Sequence, residues 1–250
     1  MKATQTLGLM MIAGVALAFS SPVQASKTDD NIEAAAKSSY VFKTYLKDDA
    51  IKVQSSEGVV TLTGTVAEDS HKSLAGETVT NLPEVKSVDN QLTVKKGQPA
   101  EMSDAWLLTK VKTTLLFHRS VSATTDVDVK DGIVTLLGTA DNQAQKDLTT
   151  EYAKDIDGVK DVKNKMVLAK SANKSQTMGD KIDDASITTL VKMTLLSHRS
   201  TSALNTSVTT TNGVVTLTGK ADNAAEKSLA AKLASDVNGV TSVTNQMTIK

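Results

Sequence analysis

The chain contains no cysteine in 250 residues. That excludes disulfides, a cysteine nucleophile and the lipid attachment of a lipoprotein, which needs cysteine at the cleavage site. Aromatic residues make up only 3% and there are three histidines. Acidic and basic residues balance at 28 each, and neither half is strongly basic. That argues against nucleic acid as a partner, because such binding rests on neutralising phosphates. After the first 25 residues no apolar run is long enough to span a bilayer.

The first 25 residues read as a secretory signal peptide. Lys2 supplies the positive start, Leu7 to Phe19 the apolar stretch, and Pro22 the break. Val23-Gln24-Ala25 is a small-residue cleavage signature, so the mature chain is expected to begin at Ser26 as a soluble exported protein without a transmembrane segment.

The rest repeats itself three times. Gly58-Val59-Val60-Thr61-Leu62-Thr63-Gly64 recurs as Gly132-Ile133-Val134-Thr135-Leu136-Leu137-Gly138 and as Gly213-Val214-Val215-Thr216-Leu217-Thr218-Gly219. Each copy closes alike: Val85, Val88 and Asn90; Val159, Val162 and Asn164; Val240, Val243 and Asn245. Such self-similarity, longer than most solenoid units, implies tandem small domains. They are placed at residues 30–96, 103–170 and 183–250. The segments 97–102 and 171–182 have linker composition.

Within a copy the order is helix, hairpin, helix, strand. Ser103 or Asp104 can cap a helix whose apolar face is Leu107, Leu108, Val111 and Leu115; Ile187, Leu190, Val191 and Leu195 repeat that face. Asp131-Gly132 and Asn212-Gly213 are tight hairpin turns. Gly58, Gly132 and Gly213 sit at turns, and Gly64, Gly138 and Gly219 end the second strand, where a backbone position needs positive φ or a close approach. The fold class expected is α/β (α+β): three tandem αββαβ two-layer sandwiches, each with two helices on one three-stranded sheet.

An αββαβ unit carrying Gly-Val-Val-Thr-Leu-Thr-Gly on its second strand and Gly-Val-x-x-Val-x-Asn before its last strand resembles the BON domain. The resemblance implies a Gram-negative periplasm, a role in envelope or osmotic stress, and binding to phospholipid surfaces or envelope proteins. Some members act as chaperones of exported proteins, which makes a holdase the alternative reading. Two copies are usual among the secreted members, and this chain has three.

A search for chemistry finds no catalytic, cofactor or metal site. No histidine pair has ligand spacing, no Gly-x-Ser-x-Gly occurs, and no glycine loop is built to cradle phosphate. The local feature that repeats is His118-Arg119-Ser120 and His198-Arg199-Ser200, each after the first helix of its copy. Cations there suit a helix C-terminus. The functional alternative is an anion contact such as a lipid phosphate, with arginine as bidentate donor. Phe117 lies opposite the apolar stripe, with Lys47 and Ser197 as counterparts when Val41 is aligned with Val111. That alignment puts Asp48-Asp49 at the His-Arg position of the first copy and suggests that Phe117 is exposed. It then either dips into a bilayer interface or packs under a loop or neighbouring domain. Phe117, His118, Arg119, His198 and Arg199 are thus the candidate contacts for anionic phospholipid.

Overall fold

A computed structural model describes residues 27–95, 99–121, 124–169, 182–201 and 205–250. The expected signal peptide, residues 97–98 of the first linker and all but residue 182 of the second lie outside the described residues. Domain 1 comprises α1 (Lys27–Ser38), α2 (Tyr40–Thr44), β1 (Ala50–Ser56), β2 (Val59–Val66), α3 (Asp69–Thr80), β3 (Ser87–Asn90) and β4 (Thr93–Val94). Domain 2 follows with α4 (Asp104–Phe117), β5 (Asp126–Lys130), β6 (Ile133–Leu137), β7 (Thr139–Ala140), α5 (Gln143–Lys154), β8 (Asp161–Asn164) and β9 (Val167–Leu168). Domain 3 has α6 (Asp184–Ser197), β10 (Thr206–Thr211), β11 (Val214–Ala221), α7 (Ala224–Ser235), β12 (Ser242–Asn245) and β13 (Thr248–Ile249).

Each domain is an αββαβ unit with its second strand in the middle. That strand pairs antiparallel with the first and parallel with the last, as in Val127↔Leu136 and Val134↔Val162. Alternate residues of the central strand, such as Val134 and Leu136, point into the helix-covered core. Among the described residues no helix is long and apolar enough to cross a membrane.

The repeated motifs have local causes. The hairpin turns place Glu57-Gly58, Asp131-Gly132 and Asn212-Gly213 at positive φ, as a two-residue turn matched to strand twist requires. An aspartate in the first turn of each first helix then fastens the hairpin. Asp104 accepts hydrogen bonds from the amides of Asp131 and Gly132, and Asp29 and Asp184 repeat this at their own turns. Gly138, at φ +104°, ends the central strand against the carbonyl of Thr124, and a Cβ there would collide with that oxygen. Gly64 and Gly219 make the same close approach, to the carbonyls of Ala50 and Asn205, but β2 and β11 run two residues beyond them, which corrects the expectation that they end the strand.

The closing asparagine interrupts the last strand. Asn164 donates from Nδ2 to Lys146 O at 2.9 Å and Thr150 Oγ1 at 2.8 Å, and accepts the Met166 amide at 2.9 Å. One side chain therefore ties the last strand to the second helix. Asn164→Ala strips three bonds from a half-buried joint and should cost about 1–3 kcal/mol, read as a lower denaturation midpoint. An unchanged midpoint would mean that water replaces the side chain without loss.

The turn-binding aspartates correct the alignment of the first copy. Asp29 corresponds to Asp104, 75 positions on, whereas Val41 and Val111 are 70 apart. The hairpin glycines Gly58 and Gly132 are 74 apart, so the offset changes by only one residue along the copy and Val41 falls opposite Leu115. Ser39 splits the first helix and caps its second piece by accepting the Phe42 amide. Asp49 therefore does not replace His-Arg. It accepts the Ala67 amide and faces His71 Nδ1 at 2.5 Å inside domain 1.

The domains are packed together, not strung out. Domains 1 and 3 share one apolar cluster, which also takes in Phe117 of domain 2; the rest of domain 2 has its own. The centre is α6, buried continuously from Ala185 to Val191. Small residues on α6 let α3 approach: Asn81 Nδ2 lies 3.5 Å from Thr189 Oγ1, and Lys192 pairs with Glu77 at 3.0 Å. The break at Ser39 frees two amides of α2, and domain 3 satisfies both. Tyr40 N donates to Asp183 Oδ2 at 2.8 Å and Val41 N to Ser186 Oγ at 3.1 Å.

Candidate functional site

The repeated His-Arg-Ser segments form a joint between domains 2 and 3. His118 and His198 end α4 and α6 with the same extended backbone, φ near −90° and ψ 121°. Each segment then runs antiparallel to the turn after the other domain's second helix. His118 bridges Val237, and His198 bridges Ile156. The Arg119 amide donates to Asp236 O and the Arg199 amide to Asp155 O, at 2.9 and 3.0 Å. The joint is locally two-fold: what domain 2 does to domain 3, domain 3 does to domain 2.

The side chains follow the same symmetry. Each arginine donates to the last carbonyl of the other domain's second helix, Arg119 to Ser235 O and Arg199 to Lys154 O, and Arg119 donates also to Val240 O in the segment before the last strand. The cation does serve a helix C-terminus, but across the joint. Ser120 and Ser200 donate to Asp236 and Asp155. His118 Nδ1 lies 3.2 Å from Asp236 Oδ2, and His198 Nδ1 lies 3.2 Å from Asp155 Oδ2. The two Nε2 atoms meet at 3.1 Å. Both imidazoles are fully buried.

Tyr152 breaks the symmetry. Its ring stacks on His118 with centroids 3.9 Å apart, and its hydroxyl donates to Asp236 at 2.9 Å. Burial pushes the Tyr152 hydroxyl above the usual phenol range, and the neighbouring Asp236 adds to this. Burial alone would raise both aspartates, but bonds from His118, Ser120 and Tyr152 hold Asp236 below its ordinary value, and bonds from His198 and Ser200 do so for Asp155. Burial lowers His118, outweighing the bond to Asp236.

Phe117 stands beside this joint and is 1% exposed. The expectation of an exposed ring is corrected. Tyr45 of domain 1 meets it edge to face at 5.5 Å between centroids, and it shares a small cavity wall with Met193 and Ser197 of domain 3. Ser197, its counterpart on α6, is the small residue beside which the ring fits. His118 and His198 are likewise inside the protein, so a surface contact through these rings is corrected too. Arg119 and Arg199 keep about half their side chains exposed, 52% and 49%.

The arginines open onto two clefts. One, of about 340 Å³, lies between α4 and the following strand, lined by Lys112, Leu116, Arg119, Val121, Asp126 and Asn238 among others. The other, of about 500 Å³, runs between α5 and α7. Leu148, Tyr152, Leu229 and Leu233 form its apolar lining, and Lys154, Arg199 and Lys232 stand beside Glu151 and Asp155. Leu148 is 41% exposed. Among the described residues no group of three or more histidine or carboxylate side chains is placed to hold a metal.

Sequence reasoning missed Tyr152, Asp155 and Asp236. A signal existed. Asp155 and Asp236 both stand just after the second helix of their copies, where domain 1 has Asn81. The aspartate thus occurs in the two copies that carry His-Arg-Ser and is missing from the one that lacks it.

Comparisons with known proteins agree with this repeat. The BON domain family matches residues 28–96, 103–170 and 183–250. The chain is 32% identical over 202 residues to the osmotically-inducible protein Y of Escherichia coli K12, covering 80% of this chain and 98% of that one. It is 28% identical over 149 residues to an uncharacterized protein in the gshII 5′ region of Anaplasma centrale, covering 60% and 96%. Among solved structures, the C-terminal domain of CdsD, a structural protein of the type III secretion system of Chlamydia trachomatis, is 17% identical, covers 84% of this chain and 95% of its own, and has a TM-score of 0.24. The chain belongs to the BON-domain family, and it resembles the osmotically-inducible protein Y.

Proposed function

We propose that this is a non-enzymatic periplasmic protein of the osmotic or envelope stress response that binds anionic phospholipid surfaces through the cleft between α5 and α7. The observation that carries this reading is the composition of that cleft. Apolar Leu148, Leu229 and Leu233 lie beside Lys154, Arg199 and Lys232. An interfacial lipid offers the complement, an acyl region beside an anionic headgroup. Asp155 is already engaged by His198 and Ser200, so Glu151 is the carboxylate of the cleft without that engagement.

The attraction is modest. A lysine near an anionic surface contributes about 1 kcal/mol and is screened within a Debye length. Lys154→Gln with Lys232→Gln should therefore weaken co-sedimentation with phosphatidylglycerol vesicles about 30-fold at low salt, and less at high salt. Both side chains are exposed, so melting should not change. Undiminished binding by the double variant would remove the cleft from lipid binding. Binding of an unfolded client instead, with no vesicle binding by the parent, would favour a holdase.

A further inference from the structure

Two buried imidazoles meeting nitrogen to nitrogen pose a question of proton count. A contact of 3.1 Å between His118 Nε2 and His198 Nε2 is held by one shared hydrogen. With none, two lone pairs face each other; with two, two N–H groups do. The outer nitrogens are already committed, each Nδ1 facing a carboxylate at 3.2 Å that a donated N–H suits. A ring that keeps its Nδ1 proton and gains one at Nε2 becomes a full cation, and only one ring of the pair can do so without breaking the contact.

The groups facing the pair come from every element packed on it. From α5 come Tyr152 and, at its end, Asp155; from the end of α7 comes Asp236. Arg119 Nε lies 3.8 Å from Asp236, and Arg199 Nε lies 3.7 Å from Asp155. The two aspartates are thus shared between a histidine and an arginine each. They do not offset two imidazolium charges in full.

We infer that the joint between domains 2 and 3 is a proton-gated hinge, closed while His118 and His198 share one hydrogen between their Nε2 atoms and opened when acidification adds a second. An imidazole in water has an ordinary value of about 6.5, and opening relieves His118 of the burial that lowers it in the joint. Closed, the pair refuses the second proton. Opening in acid therefore takes up one proton, and the open-to-closed ratio rises at most about tenfold per pH unit as pH falls below that value. The direction of the His118 shift agrees: a histidine lowered in the closed state stabilises closure at higher pH and loses that contribution as pH falls. The lowered aspartates add a second stage, lost only as pH falls below the ordinary carboxylate range.

The absence of native cysteine allows the test on the full mature chain. Spin labels at Lys163→Cys and Thr244→Cys sit on exposed strand positions of domains 2 and 3. Their distance distribution should be narrow at pH 7.5 and should widen and lengthen by pH 4.5. A chain that also carries His118→Gln and His198→Gln should stay narrow across this range, since two amides can share a hydrogen without titrating. The proposal is overturned if the parent stays narrow at pH 4.5, or if the Gln pair widens as the parent does. Should the Gln pair fail to fold, imidazole NMR shifts of the unsubstituted chain decide. His118 and His198 should take up the second proton together with the widening. Full protonation of both rings at an unchanged distance would overturn the hinge.

Discussion

Phe117→Ala should destabilise the whole chain by about 3–5 kcal/mol, the cost of removing a large side chain from a packed interior. Phe117 belongs to domain 2 by sequence, but it packs into the apolar cluster of domains 1 and 3. Its loss should therefore lower the denaturation midpoint and loosen contacts in all three domains, including the Tyr45 ring and the Tyr45 hydroxyl that donates to Leu116 O. The check is chemical denaturation followed by amide exchange at α2 and α6. A loss below about 1 kcal/mol, typical of surface sites, would mean the ring is solvated.

Removing the two joint aspartates should have unequal effects. Asp236 accepts from His118, Ser120 and Tyr152, whereas Asp155 accepts from His198 and Ser200. Asp236→Ala leaves a buried imidazole and a half-buried phenol without their acceptor and should cost about 2–3 kcal/mol, because hydrogen bonds to a charged group are the strong ones. Asp155→Ala should cost about 1–2 kcal/mol by the same reasoning. Denaturation midpoints of the two variants at pH 7.5 compare them directly. Equal losses would show that Tyr152 adds nothing to the joint.

What the sequence makes legible is what a single copy decides. The hairpin is written in Asp131-Gly132 and Asn212-Gly213, because few residues accept the positive φ that such a turn needs. The helix-covered face is written in the alternation of Val134 and Leu136. The family motif is legible because Gly138 and Asn164 each answer a backbone demand inside their own domain.

What lies between copies is harder to read. A helical wheel assigns Phe117 to the outer face of α4, and that face is outer only for domain 2 alone. Its burial comes from Tyr45 and Met193, residues 72 positions before and 76 positions after it. The helix α6 did carry a trace. Where α4 has Trp106 and Lys110, α6 has Ser186 and Leu190, smaller in one place and apolar in the other. Both residues are buried, which fits a helix packed on two sides. In the first copy, matching Val41 with Val111 slips the helix by four residues, about one helical turn, which still pairs apolar with apolar residues and so gives the wrong register. The turn-binding aspartate is the firmer marker, since its partners are fixed by the hairpin.

Packing also changes what a small domain must supply by itself. A unit of this size has little core, and its margin alone is only a few kcal/mol. Here domain 3 lends α6 to both neighbours, and the joint ties helix ends of domain 2 to those of domain 3. The proposed lipid contact is accordingly assigned to a surface left open by that packing, the α5/α7 cleft, which combines apolar and cationic side chains.

The most direct measurement of the functional account is a polarity-sensitive fluorophore attached singly at Leu148→Cys, in the cleft, and separately at Thr216→Cys, on the outward side of β11. With phosphatidylglycerol vesicles at low salt, the probe at position 148 should shift to the blue and brighten, while the probe at 216 stays as in buffer; neutral phosphatidylcholine vesicles should leave both unchanged. A shift at 216 with none at 148, or no shift at either while the protein co-sediments, would contradict binding through the cleft.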